Sequence, residues 1–212
     1  GNSHFKDTEK RAKQLSAAGI HFLGMGVSGG EEGALIGPAL MIGGDKEAYM
    51  LVKNDLSAIA AKNSKEVPCC DFVGSGGAGH FVKMVHNGIE YAEMQLLAEV
   101  VSLALSDPSN SIKTVQKMLQ DWQKTKSESY LLDITASLLG FHESGCPFID
   151  LIKDEASNKG TGAWATAEGA ELGSANSLMA SALHARFTSS NKKQRSLLSK
   201  TFKSKPTSTS LS

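Results

Sequence analysis

The spacing of apolar residues divides this chain into two regions. Before about residue 75, short apolar runs that predict buried strands alternate with stretches of helical period. The predicted strands are Ile20–Leu23, Ala39–Ile42 and Cys70–Val73, and the predicted helices run from Asp7 to about Ala18 and from Lys46 to about Lys62. Alternation of this kind is typical of an α/β sheet. The first region is therefore predicted to be part of such a sheet.

Beyond Pro108 the strand signals nearly vanish, while the helical period continues. The predicted helices there cover about Ser111–Lys124, Glu128–Leu139, Phe148–Ser157, Ala165–Leu172 and Ser177–Ser190. The fold class is thus predicted to be α/β followed by all-α, with a long central helix joining the two parts. We predict an α/β domain over residues 1–75, a helical domain over residues 76–200 and a disordered tail, rich in Ser, Thr and Lys, over residues 201–212.

The central helix, from Gly76 to Leu97 and on to about Leu105, is apolar around most of its circumference and is predicted to be buried on nearly every side. One narrow polar stripe interrupts this surface. It consists of residues at i, i+3, i+4 and i+7, namely Lys83, His86, Asn87 and Glu90. Such a face is expected to look into a cleft or a partner. Composition alone favours a structural role, since a Glu and a Lys at helical spacing are usually an ion pair.

Charge and cysteine content narrow the classes of function. Lys and Arg together number 22, as do Asp and Glu, so no net charge steers the chain to nucleic acid or to an anionic membrane, and we expect neither partner. No apolar run approaches the ~20 residues of a membrane span. Three cysteines do not make a disulfide framework, which fits a reducing compartment, and the six histidines form no HExxH pair, so we expect no metal site.

A glycine-rich segment after the first predicted strand matches the GxGxxG pattern of dinucleotide-binding turns, from Gly24 to Gly29, and Asp45 lies near the distance of a ribose-binding acid. That interpretation requires a helix directly after the glycines. The next residues include Gly30, Gly33, Gly37 and Pro38, which are expected not to sustain one. The segment is better interpreted as exposed backbone amides beside Ser28 that suit a small anion such as a carboxylate, or as an ordinary turn.

Four motifs together resemble one enzyme family. They are GVSGGEEGA at Gly26–Ala34, EVPCCDFVG at Glu66–Gly74, GAGHFVKMVHNGIEY at Gly77–Tyr91 and KGTGAW at Lys159–Trp164. The chain resembles 6-phosphogluconate dehydrogenase, the decarboxylating enzyme of the pentose phosphate pathway, from Asn2 to about Lys200. The resemblance implies a partial Rossmann-like, NADP-binding domain, a partial helical domain, a homodimer and a cytoplasmic location.

The resemblance also implies roles for individual residues. Lys83 is expected to be the general base and Glu90 the general acid, with NADP as the cofactor and 6-phosphogluconate as the substrate. Asn2 is expected to touch both cofactor and substrate. The other expected substrate contacts are Ser28, Gly29 and Gly30 at the carboxylate, His86 and Asn87 along the sugar, and Tyr91, Lys159, Thr161 and Arg186 at the phosphate.

Departures from the family pattern leave an alternative open. Ala163 stands where the family usually has Lys, and Ala39 and Ile42 depart from the family's GPSLMPGG motif. The family's N-terminal dinucleotide-binding unit and its C-terminal helical region and tail do not occur in this sequence. The alternative is a catalytically inactive, truncated paralogue that acts as a phosphosugar-binding or subunit-interaction module. A related 3-hydroxyacid dehydrogenase is a third possibility, although KGTG and HARF point to a phosphorylated sugar acid.

Overall fold

The computed structural model describes residues 2–202, which fall into two compact units. Unit 1 contains residues 2–89 and 160–175, and unit 2 contains residues 90–159 and 176–202. A three-stranded sheet and its helices form unit 1, whereas unit 2 is almost entirely helical. The predicted fold class, α/β followed by all-α, is confirmed. Among the described residues no helix is both long and apolar enough to span a bilayer.

The elements of unit 1 follow the predicted alternation. In chain order they are α1 (Phe5–Ala17), β1 (Leu23–Ser28), α2 (Gly30–Ile36), β2 (Ala39–Gly44), α3 (Lys46–Ile59), β3 (Cys70–Gly74), the first part of α4 (Ala78–Ser106) and α8 (Thr161–Glu171). Strand β2 lies between β1, which is antiparallel to it, and β3, which is parallel to it. The core of unit 1 is formed by Leu40, Ile42, Tyr49 and Ala60, and the Phe72 ring stacks on Tyr49.

The first strand begins three residues later than predicted. Ile20 still belongs to the turn that ends α1, because its backbone N–H donates to the carbonyl of Leu15 at 2.9 Å and its side chain is 53% exposed. Strand β1 instead continues through Gly24 and Gly26. A methyl group at Gly24 would overlap Thr8 Cγ2, and one at Gly26 would lie 2.6 Å from Lys83 Cβ. Glycine in β1 therefore allows α1 and α4 to pack directly against the strand.

The prediction that no helix follows the GxGxxG segment is wrong. Helix α2 begins at Gly30 after Gly29, whose φ of 139° suits glycine, and it is closed by a bond from Gly37 N to the Gly33 carbonyl at 3.0 Å. The topology nevertheless differs from a dinucleotide-binding unit. Because α2 connects antiparallel strands, the segment does not form the parallel βαβ crossover that such a unit requires.

Unit 2 is built around the second part of α4. Its other elements are α5 (Ile112–Trp122), α6 (Tyr130–Gly140), β4 (His142–Glu143), β5 (Cys146–Pro147), α7 (Phe148–Leu151), α9 (Ser177–Ser190) and α10 (Lys192–Thr201). Serine hydroxyls cap α5 and α6 in the same way, since Ser111 and Ser129 each accept a bond from a backbone N–H three residues later. The core of unit 2 contains Val101, Val115, Leu119, Leu132, Ala136 and Leu139.

Several predicted boundaries in the helical region differ from the structure. Helix α7 is one turn long because Ile152 is extended, and the β4–β5 hairpin before it was not predicted. Helix α8 begins at Thr161 rather than Ala165, and Ile89 and Leu96 of α4 are 56% and 46% exposed, so this helix is not buried on nearly every side. The tail predicted to be disordered begins at residue 201, and Thr201 is the last residue of α10. Residues 203–212 of the predicted tail lie outside the described residues.

Candidate functional site

Helix α4 carries three of the predicted site residues within unit 1. Lys83 and Asn87 are only 7% and 8% exposed, and His86 between them is half-buried. They are buried because glycines let α4 approach β1 closely. A methyl group on Gly26 of β1 would lie 2.5 Å from the carbonyl oxygen of Gly79 on α4. Side chains that would be solvated on an ordinary surface helix are thereby held against a strand.

Five side chains of unit 1 form a chain of polar contacts, which we call the lysine network. Lys83 Nζ donates to Ser28 Oγ at 3.0 Å and lies 3.4 Å from His86 Nδ1. His86 Nδ1 lies 3.2 Å from Asn87 Oδ1, and Asn87 Nδ2 donates to Thr161 Oγ1 at 3.1 Å. Thr161 is 4% exposed. The network therefore links the end of β1, one face of α4 and the start of α8.

The predicted carboxylate-binding glycines follow Ser28 directly. Gly29 and Gly30 are exposed and both have positive φ values, 139° and 59°. A side chain at either position would be strained, so glycine is required by the backbone turn itself. The structure thus brings exposed backbone next to Ser28, the serine that contacts the buried lysine.

A second group of predicted residues lies in unit 2, and we call it the arginine cluster: Tyr91, Lys159 and Arg186. The Arg186 guanidinium lies over the Tyr91 ring, with its carbon 4.0 Å from the ring centroid, and Nη1 donates to the Ser157 carbonyl at 2.9 Å. Tyr91 is buried, and its hydroxyl accepts a weak bond from the Lys159 backbone N–H at 3.4 Å. The Lys159 side chain is exposed. These contacts place an oriented guanidinium and an exposed ammonium in the same unit.

The boundary between the two units falls within the KGTG motif. Lys159 belongs to unit 2 with Arg186, whereas Thr161 belongs to unit 1 and contacts Asn87. Of the remaining predicted residues, Glu90 is half-buried and is the first residue of unit 2 on α4, and Asn2 is exposed in the segment before α1. Their proposed roles remain predictions.

Sequence reasoning missed a buried polar pair beside the lysine network. Thr8 Oγ1 lies 2.8 Å from His80 Nδ1, and the two side chains are 1% and 9% exposed. Burial lowers the pKa of His80, the nearby charge of Arg11 lowers it further, and a bond with the Met25 backbone opposes the shift. No sequence spacing reveals a pair that is 72 residues apart. The tight turn of glycines before His80 was the available hint of close packing.

Comparison with solved structures first identifies the class of fold. A 3-hydroxyisobutyrate dehydrogenase from Salmonella typhimurium superimposes with a TM-score of 0.69 over 90% of this chain and 62% of that chain, at 18% identity, which shows a shared fold alone. A Plasmodium falciparum 6-phosphogluconate dehydrogenase superimposes with a TM-score of 0.93 at 35% identity, over 100% of this chain and 45% of that chain. The architecture is thus one that dehydrogenases use.

Sequence comparison then identifies the family. The family model of the 6-phosphogluconate dehydrogenase C-terminal domain matches residues 79–212, and that of the NAD binding domain of 6-phosphogluconate dehydrogenase matches residues 1–74. The decarboxylating 6-phosphogluconate dehydrogenase of Haemophilus influenzae is 46% identical over 92% of this chain, and the NADP(+)-dependent enzyme of Bacillus subtilis is 46% identical over 92%. This chain belongs to the 6-phosphogluconate dehydrogenase family. It spans 40% and 42% of the length of these two relatives.

Proposed function

We propose that this chain supplies the sugar-acid-binding and catalytic side chains of an NADP-dependent, decarboxylating 6-phosphogluconate dehydrogenase. The observation that carries the proposal is the buried Lys83, whose Nζ contacts Ser28 and His86 within a connected polar network. Membership in the family supports the substrate assignment. The substrate that is oxidised is 6-phosphogluconate, and the product is ribulose 5-phosphate.

The lysine network suits the proton transfers of this reaction. Lys83, as the base, removes the proton of the 3-hydroxyl, and it then polarises the resulting keto oxygen. The β-keto acid loses carbon dioxide because the ketone accepts the electron pair of the breaking bond as an enol. Glu90, as the acid, protonates carbon to complete the reaction. Ser28, Gly29 and Gly30 hold the carboxylate that leaves, and His86 and Asn87 bind the sugar hydroxyls.

The arginine cluster suits a phosphate. Arg186 offers a planar fork of N–H donors, and Tyr91 holds that fork in one plane by cation–π contact. Lys159 adds an exposed ammonium. We assign these three residues to the substrate phosphate, with Thr161 as a further candidate from the resemblance.

NADP, when bound, accepts the hydride. The described residues do not fit its nucleotide portion, because the GxGxxG segment connects antiparallel strands instead of opening a parallel βαβ unit. We assign recognition of the nucleotide to the part of the relatives that this chain does not match. Asn2 is assigned to a contact with the nicotinamide end of NADP. We further propose that the enzyme is a homodimer that acts in the cytoplasm, in the pentose phosphate pathway.

Calorimetric titration with 6-phosphogluconate tests the proposal, alongside a separate titration with NADP. We expect saturable binding of the sugar acid, weakened at least about tenfold by Arg186→Ala because a charge-assisted bond contributes about 1.5–3 kcal/mol, and weakened also by Lys83→Ala. Lys117→Ala is the matched control, since Lys117 is exposed and pairs with Asp121. Equal binding by all variants contradicts the proposed residues.

A second candidate function, a phosphosugar-binding or subunit-interaction module without catalysis, rests on the arginine cluster, whose oriented guanidinium suits a phosphate without the lysine network. The two candidates differ in turnover. Reduction of NADP by this chain with 6-phosphogluconate supports the enzyme. Binding of the sugar acid without any reduction of NADP, by a preparation shown to be folded, supports the module.

A further inference from the structure

Residues 154–159 of unit 2, which include Lys159 of the arginine cluster, belong to no helix or strand of the described chain. Backbone groups in such a segment have no ladder or helical partners, so its conformation depends on the side chains that reach it. The segment also contains the Ser157 carbonyl, which accepts the bond from Arg186. The conformation of this segment therefore affects both cations of the cluster.

Arg195 in α10 holds the beginning of the segment. Its Nη1 atom donates to Asp154 Oδ1 and Oδ2 at 3.2 and 3.1 Å, and its Nη2 atom donates to the Asp154 carbonyl at 2.7 Å. The same guanidinium reaches α9, because Nη2 and Nε donate to the Ser189 carbonyl at 3.0 and 3.3 Å. Ser189 lies in the last turn of α9, where carbonyls lack a partner within the helix. Arg195 therefore ties the segment to the C-terminal end of α9.

Two further contacts extend this connection along the segment to Arg186. The Ala156 backbone N–H donates to Ser189 Oγ at 2.8 Å, so Ser189 binds Arg195 through its carbonyl and the segment through its hydroxyl. The next residue, Ser157, accepts the bond from Arg186 Nη1 at 2.9 Å. Arg186 and Ser189 are three positions apart on α9 and so share one face of that helix. The segment is thus bound along that face.

The ion pair with Asp154 does not by itself explain this arrangement. The Asp154 side chain is 69% exposed, and a pair with so exposed a carboxylate contributes little to stability. The bonds from Arg195 to two backbone carbonyls, in contrast, fix the course of the main chain. A planar guanidinium reaches several acceptors at once, which the single ammonium of a lysine does not.

We propose that Arg195 is a positioning residue, which fixes residues 154–159 against α9 and thereby orders Arg186 and Lys159 for an anion. The consequence for the substrate rests on the proposed function, in which these two cations bind the phosphate of 6-phosphogluconate. Arg195 acts without contacting that phosphate. When its bonds are lost, the carbonyl that anchors Arg186 is no longer fixed, so the arginine side chain must be ordered during ligand binding.

Removal of Asp154 distinguishes positioning from simple electrostatics. Asp154→Ala deletes a negative charge, which by charge alone would tighten the binding of an anion. Positioning predicts the opposite sign. We expect the affinity for 6-phosphogluconate, measured by calorimetric titration, to fall by about twofold to tenfold, the cost of ordering one long side chain.

Glu155→Ala is the matched control for the charge. It deletes an equal charge from the adjacent residue, whose carboxylate pairs with Lys153 at 2.8 Å. We expect this variant to bind 6-phosphogluconate no more weakly than the native chain. A loss of affinity equal to that of Asp154→Ala would contradict a specific role for the contact with Arg195.

Arg195→Met breaks the same contact from the other side. We expect it to weaken binding as well, and the double variant with Asp154→Ala to bind about as tightly as Arg195→Met alone, because both substitutions remove one interaction. Losses that add in the double variant contradict the inference. If Arg195→Met does not fold, the exposed Asp154→Ala decides the question alone.

Hydrogen exchange of backbone amides tests the connection without any ligand. We expect residues 154–159 to exchange faster in Arg195→Met, and to a smaller extent in Asp154→Ala, while the amides of α5 and α6 keep their rates. The inference is overturned by unchanged exchange of this segment in both variants, or by unchanged or tighter binding in a folded Asp154→Ala variant. If the native chain binds no 6-phosphogluconate, the proposed function fails, and the exchange rates still decide whether Arg195 holds the segment.

Discussion

The lysine network of unit 1 and the arginine cluster of unit 2 are held by different kinds of interaction. Lys83, Asn87 and Thr161 are each less than a tenth exposed and contact other side chains, whereas Arg186 rests on a ring and a backbone carbonyl and Lys159 is exposed. A buried polar group that loses its partner incurs a desolvation cost, whereas an exposed charge is already solvated. We infer that unit 1 fixes geometry before any ligand arrives, while unit 2 mainly supplies charge.

The largest effect is expected where unit 1 packs most tightly. Gly26→Ala places a methyl group 2.6 Å from Lys83 Cβ and 2.5 Å from the Gly79 carbonyl oxygen, so α4 must move away from β1. We expect a loss of about 1–3 kcal/mol in the free energy of unfolding, measured by urea denaturation. Gly33→Ala is the control, because the new methyl group would make contacts of 3.7 Å only. An equal effect of both substitutions contradicts the close packing.

The next effect concerns the buried amide. Asn87→Leu conserves volume but removes the hydrogen-bond donor to Thr161 Oγ1, and Thr161 is only 4% exposed. We expect a loss of about 1–3 kcal/mol in the free energy of unfolding, toward the lower end if the threonine hydroxyl finds another partner. Asn54→Leu on the exposed face of α3 is expected to stay within about 0.5 kcal/mol. Similar values for the two asparagines would remove the contrast drawn for unit 1.

A smaller effect is expected in the arginine cluster. Arg186→Met removes the cation–π contact with Tyr91 and the bond to the Ser157 carbonyl. Because Arg186 is half-buried, we expect a loss of roughly 0.5–1 kcal/mol in the free energy of unfolding. Tyr91→Phe keeps the ring and loses only the 3.4 Å contact with Lys159, so thermal denaturation is expected to show almost no change. A loss for Arg186→Met as large as that for Asn87→Leu would contradict the comparison.

The smallest effect is expected from pH. Burial lowers the pKa of His80 in the folded chain below its unfolded value, so the unfolded chain binds more protons between those two pKa values. The contribution of His80 to stability is therefore constant above pH ~6.5 and declines as the pH falls through its folded pKa. Thermal transitions of native and His80→Gln chains between pH 5 and 8 measure this difference. If the transition temperatures of the two chains changed with pH in parallel, the acid sensitivity would belong to groups other than His80.

Much of the order of elements could be predicted from the sequence, but not α2, the β4–β5 hairpin or α10, nor the directions of the strands. Apolar runs and helical period locate β2, α3, β3 and α9 closely, since each element has its own local pattern. Strand direction has no local pattern, so the antiparallel pairing of β1 with β2 was not foreseen. Helix α2 formed although its glycines lower the intrinsic helix propensity. Only Gly33 of this helix is buried, and Glu31 and Glu32 in its first turn favour a helix N-terminus.

The site was predictable to the extent that its residues share a motif. The stripe on α4 predicted that Lys83, His86 and Asn87 lie together, and the structure places them in contact within unit 1. The contacts that join distant segments carry no such pattern. Thr161 was assigned to the phosphate through the KGTG motif that it shares with Lys159, and in the structure its hydroxyl contacts Asn87, 74 residues away.

That separation has a consequence for the order of folding. Residues 90–159 are synthesised after α4 begins and before α8, so unit 1 is interrupted by a segment that belongs to unit 2. Bringing Thr161 back to Asn87 closes a loop of 74 residues, at an entropic cost on the order of 4 kcal/mol. The helices α5 and α6 are joined by a short connection and can pair earlier. The polar network of the first unit is thus expected to be among the last parts of the chain to assemble.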